Sequence, residues 1–436
     1  MPHPRCSLLV ALPVSLLLLL AACHDEGPPL VSPPQLNLAN NPVPSALTPK
    51  EALGKAIFFD KSLSLHQNQA CAACHGPEFG FTGPTPGVNR GGSVYMGSVR
   101  YRAGNRKPPS AAYATLSPPL HFDDVDEVWV GGNFWDGRAT GDLLGNPAAD
   151  QALGPFLNPV EQALPDAICV LYRIATGSYA DLWETVWVED LRDLPYPTRL
   201  DKTCRSEEPI EYDGELAVAV DRNYGRVGLS IEAYEASSEV NAFSSKYDAY
   251  LAGMAELTEE EALGLELFNG KANCAACHPS EGPNALFTDF TYDNLGVPAN
   301  PLNPVYDTDP GFVDRGLGGY LGNAEFDGAV KVPTLRNLAK APGSVVKAYG
   351  HNGVFKSIEQ IVHFYNTRDV LPQCAPGEVK PNAAGLAMMG FSPECWPAPE
   401  VADNVNQDEL GNLELTPAEE HALVAFLRTL SDGWRP

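Results

Sequence analysis

Positive charge is scarce in this chain. Its 436 residues hold 29 Lys and Arg against 55 Asp and Glu, a formal net charge of −26. Nucleic-acid binding relies on clustered Lys and Arg that displace phosphate counterions, and no basic patch here provides them, which argues against that class of partner. Long apolar runs are missing too. Beyond the first 22 residues, no segment approaches the roughly 20 apolar residues of a membrane-spanning helix. Cysteine numbers only ten, too few to form the framework of a chain this long, so the cysteines need separate explanations. Glycine and proline, at 39 and 40 residues, are frequent but stay below the roughly 25–30% of low-complexity chains. With 44% apolar residues the chain can bury a real core. The composition is that of a folded, loop-rich protein.

The amino-terminal segment reads as an export signal. Arg5 precedes an apolar run from Leu8 to Leu20, too short to span a bilayer comfortably. The run ends Leu20-Ala21-Ala22-Cys23, which resembles a bacterial lipobox and implies cleavage before Cys23, with acyl chains on that residue. The alternative is an ordinary signal peptide cut nearby. Residues 1–22 are thus expected to be a signal and 23–46, rich in proline, a flexible tether.

The remainder repeats itself. Leu47-Thr48-Pro49-Lys50-Glu51-Ala52-Leu53-Gly54 matches Leu257-Thr258-Glu259-Glu260-Glu261-Ala262-Leu263-Gly264, each opening with the Thr-x-x-Glu pattern that caps a helix. Each helix is followed by Cys-Ala-Ala-Cys-His, at Cys71, Cys74 and His75 and again at Cys274, Cys277 and His278. Two features recurring at nearly the same offset indicate two homologous units. A third capped helix begins at Thr416, and its apolar stripe from Leu423 to Leu430 is expected to pack on the second unit. Cys-x-x-Cys-His is the c-type haem attachment pattern: two thiols add to the haem vinyl groups and the adjacent imidazole reaches the iron. A zinc ribbon would need its two Cys pairs about 15–20 residues apart, and a dithiol redox site would not require a His beside the second Cys twice.

With these motifs in place, the sequence resembles the bacterial di-haem cytochrome c peroxidase family and its MauG-like branch. The landmarks run in family order: Asn133-Phe134-Trp135-Asp136-Gly137-Arg138, Gly154-Pro155 through Asn158-Pro159-Val160-Glu161, Phe287-Thr288-Asp289, Val332-Pro333-Thr334-Leu335-Arg336-Asn337 and Tyr349-Gly350-His351-Asn352-Gly353. The resemblance implies a mostly α-helical fold of two cytochrome-c-like domains, 47–242 with a peroxidatic haem and 243–436 with an electron-transfer haem. It implies two covalent haem c groups held by Cys71, Cys74, Cys274 and Cys277, with His75 and His278 as axial ligands. Trp135 falls at the position between the haems, and Gln151, Pro155 and Glu161 at distal positions over the first haem. A carboxylate there can move a proton between the two oxygens of hydrogen peroxide. His351 lies at a near-haem position.

Departures from the ordinary pattern define the subclass. The far ligand of the second haem, usually Met, aligns with Tyr365 in the helix beginning at Ser357, as in the MauG-like branch. Met388 or Met389 is the alternative. A capping box from Ser357 to Gln360 is expected there, with Tyr365 on the buried face and His363 toward solvent. Between Gly76 and Pro119 there is no His to block the first haem, and Met96 is the one soft candidate ligand. Lys107 replaces the family's calcium-binding Asn, unless Asn105 substitutes by a shift, which makes calcium doubtful. The resemblance also assigns two leftover cysteines to each domain, so an oxidising compartment pairs Cys169 with Cys204 and Cys374 with Cys395. Two polar, proline-rich insertions, roughly 184–213 and 371–414, are expected to be solvated loops, with partner-binding surfaces as the alternative.

Three functions follow from the resemblance. The first is peroxide-driven oxidation of a Trp or Tyr side chain in a protein partner. The second is reduction of peroxide to water with electrons from a small cytochrome c or cupredoxin, for which the acidic surface would steer a basic donor. The third is electron transfer without catalysis, against which Gln151, Glu161 and the missing loop His argue.

Overall fold

The first repeat helix, α1 (Pro49–Phe59), is set by a reciprocal capping box in which Thr48 and Glu51 satisfy each other's backbone N–H groups. The computed structural model describes residues 46–375 and 395–436. The next elements are α2 (Pro147–Leu157), α3 (Ala167–Ala175) and the long α4 (Gly214–Ala236). The second repeat helix, α5 (Glu259–Asn269), carries the same reciprocal box from Thr258 and Glu261. Then come α6 (Ile358–Thr367) and α7 (Pro417–Arg428), the latter capped by Thr416 and Glu419. Strand structure is confined, among the described residues, to two small antiparallel pairs: His121–Asp123 with Val128–Val130, and Tyr292–Asp293 with Val330–Lys331. The fold is therefore mostly helical.

The repeat is visible in how its helices pack. α1 lies against α4, and α5 lies against α7. At each crossing the repeated glycine removes the side chain that would stop the approach. A Cβ on Gly54 would overlap the Ser230 carbonyl of α4, and one on Gly264 would overlap the Ala422 carbonyl of α7. The packing of α7 on the second repeat follows from its apolar stripe, with Leu423, Val424, Phe426 and Leu430 buried.

The described residues form one compact unit that holds two hydrophobic cores. The first gathers Leu53, Phe58, Phe156, Leu171, Trp183 and Ile231. The second gathers Phe268, Phe287, Phe364, Trp396, Leu423 and Phe426. Cys169 is bonded to Cys204, closing a span of 35 residues inside the first core, and Cys374 to Cys395, closing one of 21.

Three expectations need correcting. The 184–213 segment is not a solvated loop: Leu191, Leu200 and Cys204 are buried, with Tyr196 and Tyr212 against them. Its apolar residues are interleaved with prolines and short helical turns, so no single period marks them. In the second insertion, Trp396 and Leu410 are likewise buried. At the start of α6, Ser357 accepts from the Gln360 N–H as expected, but the Gln360 side chain accepts from Lys356 rather than Ser357, so the box is not reciprocal. His363 does not face open solvent: its side chain is 15% exposed, with Nδ1 2.9 Å from Glu420. Cys23, residues 1–45 and the Met388–Met389 pair lie outside the described residues.

Candidate haem sites

Both Cys-x-x-Cys-His segments form a single tight turn, Cys71–Ala73 and Cys274–Ala276, with the His N–H bonded back to the first Cys carbonyl at 2.9 Å in each. Each imidazole is then fixed from behind. Nδ1 of His75 lies 3.1 Å from the Phe81 carbonyl, and Nδ1 of His278 lies 2.7 Å from the Phe287 carbonyl. A proton on Nδ1 leaves the Nε2 lone pair for a metal. Burial favours the neutral ring in both, taking His75 down to about 4. The four thiols are free, and burial pushes Cys74 and Cys274 up to about 12. Thiols held protonated are poor dithiol redox groups, which depend on a lowered pKa.

Three adjoining cavities meet these groups. The first, of about 1020 Å³, has Cys71, Cys74 and His75 on its wall together with Gln151, Pro155 and Glu161. The middle one, of about 1280 Å³, is shared by His75 and His278 and also touches Tyr365. The third, of about 780 Å³, is lined by Cys274, Cys277, His278, His351 and Tyr365. Trp135 borders all three. It is 7% exposed, and its indole Nε1–H donates to the Lys107 carbonyl at 2.8 Å. Lys107 in turn donates its backbone N–H to the His351 carbonyl at 2.8 Å. One short segment thus ties the tryptophan to the Gly350-His351 turn.

The lining suits two haems. Buried ammonium groups are costly unless an anion or strong acceptors meet them. Lys107, Lys331 and Lys347 face the middle cavity, and none belongs to an ion pair among the described residues. Burial lowers Lys107 to about 8 and Lys331 to about 7. Uncharged acceptors meet them, with Lys331 reaching Ser117 and the Gly132 carbonyl and Lys347 the Asn337 carbonyl, so haem propionates would add the anions. The thiols would suit vinyl groups and the two imidazoles iron.

The remaining expected residues fall as follows. Glu161 accepts from Asn158 at 3.1 Å, and burial raises its pKa despite Arg138 nearby. Gln151 and Pro155 sit on α2 facing the same space. His351 is buried with its Nδ1 unpartnered and its Nε2 3.9 Å from Asp314. Burial raises the Tyr365 phenol, so the protein alone favours its neutral form. Met96 is 50% exposed and lines none of the three cavities. The Lys107 ammonium donates to Thr82 at 2.9 Å and to the Pro108 carbonyl at 3.0 Å. Asn105 offers its carbonyl to Asn303. Sequence reasoning overlooked Glu235, a buried carboxyl on α4 that borders the first two cavities. It also overlooked Tyr113 and Lys331 on the middle cavity. Nothing local in the sequence flags any of them, because long-range packing alone brings them to the site.

Comparison with known proteins identifies the family. A family model described as di-haem cytochrome c peroxidase matches residues 48–256. The methylamine utilization protein MauG of Paracoccus denitrificans (strain Pd 1222) is 32% identical over 390 residues, covering 87% of this chain and 88% of that protein. The chain belongs to the di-haem cytochrome c peroxidase and MauG family. It is a peroxide-dependent di-haem oxidoreductase, and the family implies two haem c groups. Cytochrome c551 peroxidase of Nitrosomonas europaea (strain ATCC 19718 / CIP 103999 / KCTC 2705 / NBRC 14298) is 27% identical over 335 residues, covering 74% of this chain and 76% of that one. The crystal structure of the diheme peroxidase BthA from Burkholderia thailandensis E264 superposes with a TM-score of 0.64 at 29% identity, covering 89% and 87% of the two chains.

Proposed function

We propose that this family member works in the MauG-like manner, using hydrogen peroxide at the first haem to oxidise a Trp or Tyr side chain of a protein partner at long range. The bound haems supply the redox chemistry. The chain's own residues do the rest. Glu161 takes the proton from one peroxide oxygen and returns it to the other, while Gln151 orients the molecule and Pro155 keeps the pocket apolar. Trp135 carries oxidising equivalents between the two sites, since an indole bordering both can hand an electron across. Tyr365 would hold the second haem's iron together with His278. The observation that carries this reading is Tyr365 on the two cavities that contain His278, with no methionine among the described residues on any of the three. A thioether raises haem potential and suits an electron store, whereas a phenolate favours oxidised states.

The reading places the protein outside the cytoplasm, held to the bacterial envelope by lipid on Cys23. Lys107 replaces calcium near Trp135 by supplying a fixed positive charge.

Reduction of peroxide with electrons from a small cytochrome c or cupredoxin is the second reading, favoured by the likeness to the Nitrosomonas peroxidase. One pair of assays separates the two. Peroxide is added with reduced cytochrome c, or with the candidate protein partner followed by mass analysis. Mass change on the partner with slow cytochrome c turnover is expected. Rapid cytochrome c turnover with an unmodified partner would overturn the proposal. Tyr365→Phe is expected to remove the oxidised state shared by both haems while leaving both haems attached. An unchanged optical response to peroxide would disprove that assignment.

A further inference from the structure

Tyr113 sits in a conformation that a bulky residue avoids. Its φ is +64°, in the left-handed region, which costs on the order of 1–3 kcal/mol and persists only where the surroundings enforce it. The surroundings do enforce it. Its N–H donates to Asn241 at 2.6 Å, and its ring packs edge-on to Phe243 with centroids 4.8 Å apart. The side chain is 2% exposed and lines the middle cavity shared by His75 and His278. Its hydroxyl donates to Asp432 Oδ2 at 2.7 Å, a buried contact between residues 319 apart in the chain. Asp432 is held in place by Asn337 at 2.7 Å and by the Ser244 N–H at 2.9 Å. A phenol in the redox cavity, with a fixed carboxylate on its hydroxyl, has what a one-electron donor needs. Oxidised phenols lose their proton, and here the acceptor is already in hydrogen-bonding range.

We propose that Tyr113 and Asp432 form a proton-coupled redox relay. The relay rests on the proposed binding of two haems. Peroxide is the oxidant, and its reduction to two waters takes two electrons and two protons. Tyr113 gives up one electron to the haem pair, its O–H bond breaks, and the proton moves to the Asp432 carboxylate. The resulting neutral phenoxyl regains an electron from the external reductant or partner side chain and takes the proton back from Asp432. Two such cycles deliver the two electrons for one peroxide, and the two protons that complete the waters come from solvent, because the relay proton returns to Tyr113. Holding the proton locally also suits a site beside the Arg336 guanidinium, which lies 5.1 Å from the phenol ring centroid and would repel a phenol cation. Carried by a neutral phenoxyl, the oxidising equivalent avoids that repulsion.

The test uses the haem-loaded protein, quenched by freezing after one equivalent of peroxide and examined by electron paramagnetic resonance. The wild type is expected to show an organic radical whose hyperfine structure narrows when tyrosine is ring-deuterated. In Tyr113→Phe that signal is expected to disappear while the optical response of the haems to peroxide persists. Asp432→Asn keeps a polar partner but cannot take the proton, so radical formation is expected to slow and to lose its solvent deuterium isotope effect. A tyrosyl signal that survives in Tyr113→Phe, or an optical response in the wild type with no tyrosyl signal, would overturn the relay alone. If the haems give no optical response to peroxide, the proposed function and the relay fail together. A structural tie alone would leave a tyrosyl signal in Tyr113→Phe and an unchanged isotope effect in Asp432→Asn.

Discussion

Two carboxyls beside the first haem cavity are both shifted upward by burial, yet only one sits where a landmark in the sequence pointed. Glu161, which lines the first cavity together with His75, is the residue proposed to handle peroxide protons. Replacing it with Gln keeps the shape and removes the base. Peroxide consumption should fall roughly 10²–10⁴-fold, with both haems still attached by optical spectrum. A wild-type rate would exclude Glu161 from the proton path. Since burial raises its pKa, the base form gains population as pH rises, and wild-type activity should climb with pH through that range. Glu235 behaves differently. It is 3% exposed, no side chain among the described residues hydrogen-bonds its carboxyl, and burial raises it from 4.5 to about 8. A raised carboxyl favours the folded state only while it stays protonated. Its contribution is complete below about 4.5 and is lost as pH rises through about 8. Glu235→Gln should therefore raise the unfolding free energy at pH 8 by up to about 4 kcal/mol and leave it nearly unchanged at pH 4. Denaturant unfolding at the two pH values measures this directly. Equal gains at both would show that the side chain is not titrating.

At the scale of elements, the repeat was readable because its chemistry is local. A capping box spans four residues and haem attachment five, so both appear in sequence as fixed strings. The glycines inside the repeat were readable as a match but not as a reason. Only the crossings with α4 and α7 show that a Cβ has no room. Gly54→Ala and Gly264→Ala ought to gain about 1 kcal/mol of helix propensity and still lose stability, because overlap with a backbone carbonyl cannot be relieved by a side-chain rotation. A net loss of roughly 1–3 kcal/mol in each is expected by denaturant unfolding. A gain in either would mean that the two helices can separate without cost. The same contrast explains the misread segment at 184–213. Leu191, Leu200, Tyr196 and Tyr212 do not fall at 3.6 or 2.0 spacing, so amphipathic periodicity carries no signal there. Their burial is set by the first core, where Cys204 is tied to α3 through Cys169. Tyr113, Glu235 and Lys331 were missed for a related reason. Each reaches a cavity through contacts far away in the chain, and no motif precedes any of them.

At the scale of the whole molecule, the net charge of −26 acts together with the two redox sites. Positive groups are not absent from the interior. Lys107, Lys331 and Lys347 gather around the middle cavity, so the acidic excess is carried largely by the exterior. An acidic exterior repels an acidic donor and draws in a basic one, and the attraction reaches about 10 Å at 0.1 M salt. Electron delivery should therefore depend on ionic strength in a way that identifies the donor's sign. With a basic cytochrome c, the second-order reduction rate should fall by about tenfold or more between 10 mM and 500 mM salt. With an acidic cytochrome, the rate should be low at 10 mM and rise as screening removes the repulsion. Stopped-flow reduction across that range checks both. Salt-independent rates with the basic donor would mean that the exterior charge does not steer encounter, and the case for a basic electron donor would lose its physical support. A protein partner oxidised at long range obeys the same field. Its modification rate should follow the salt profile matching its own charge, so the measurement applies to either reading of the function.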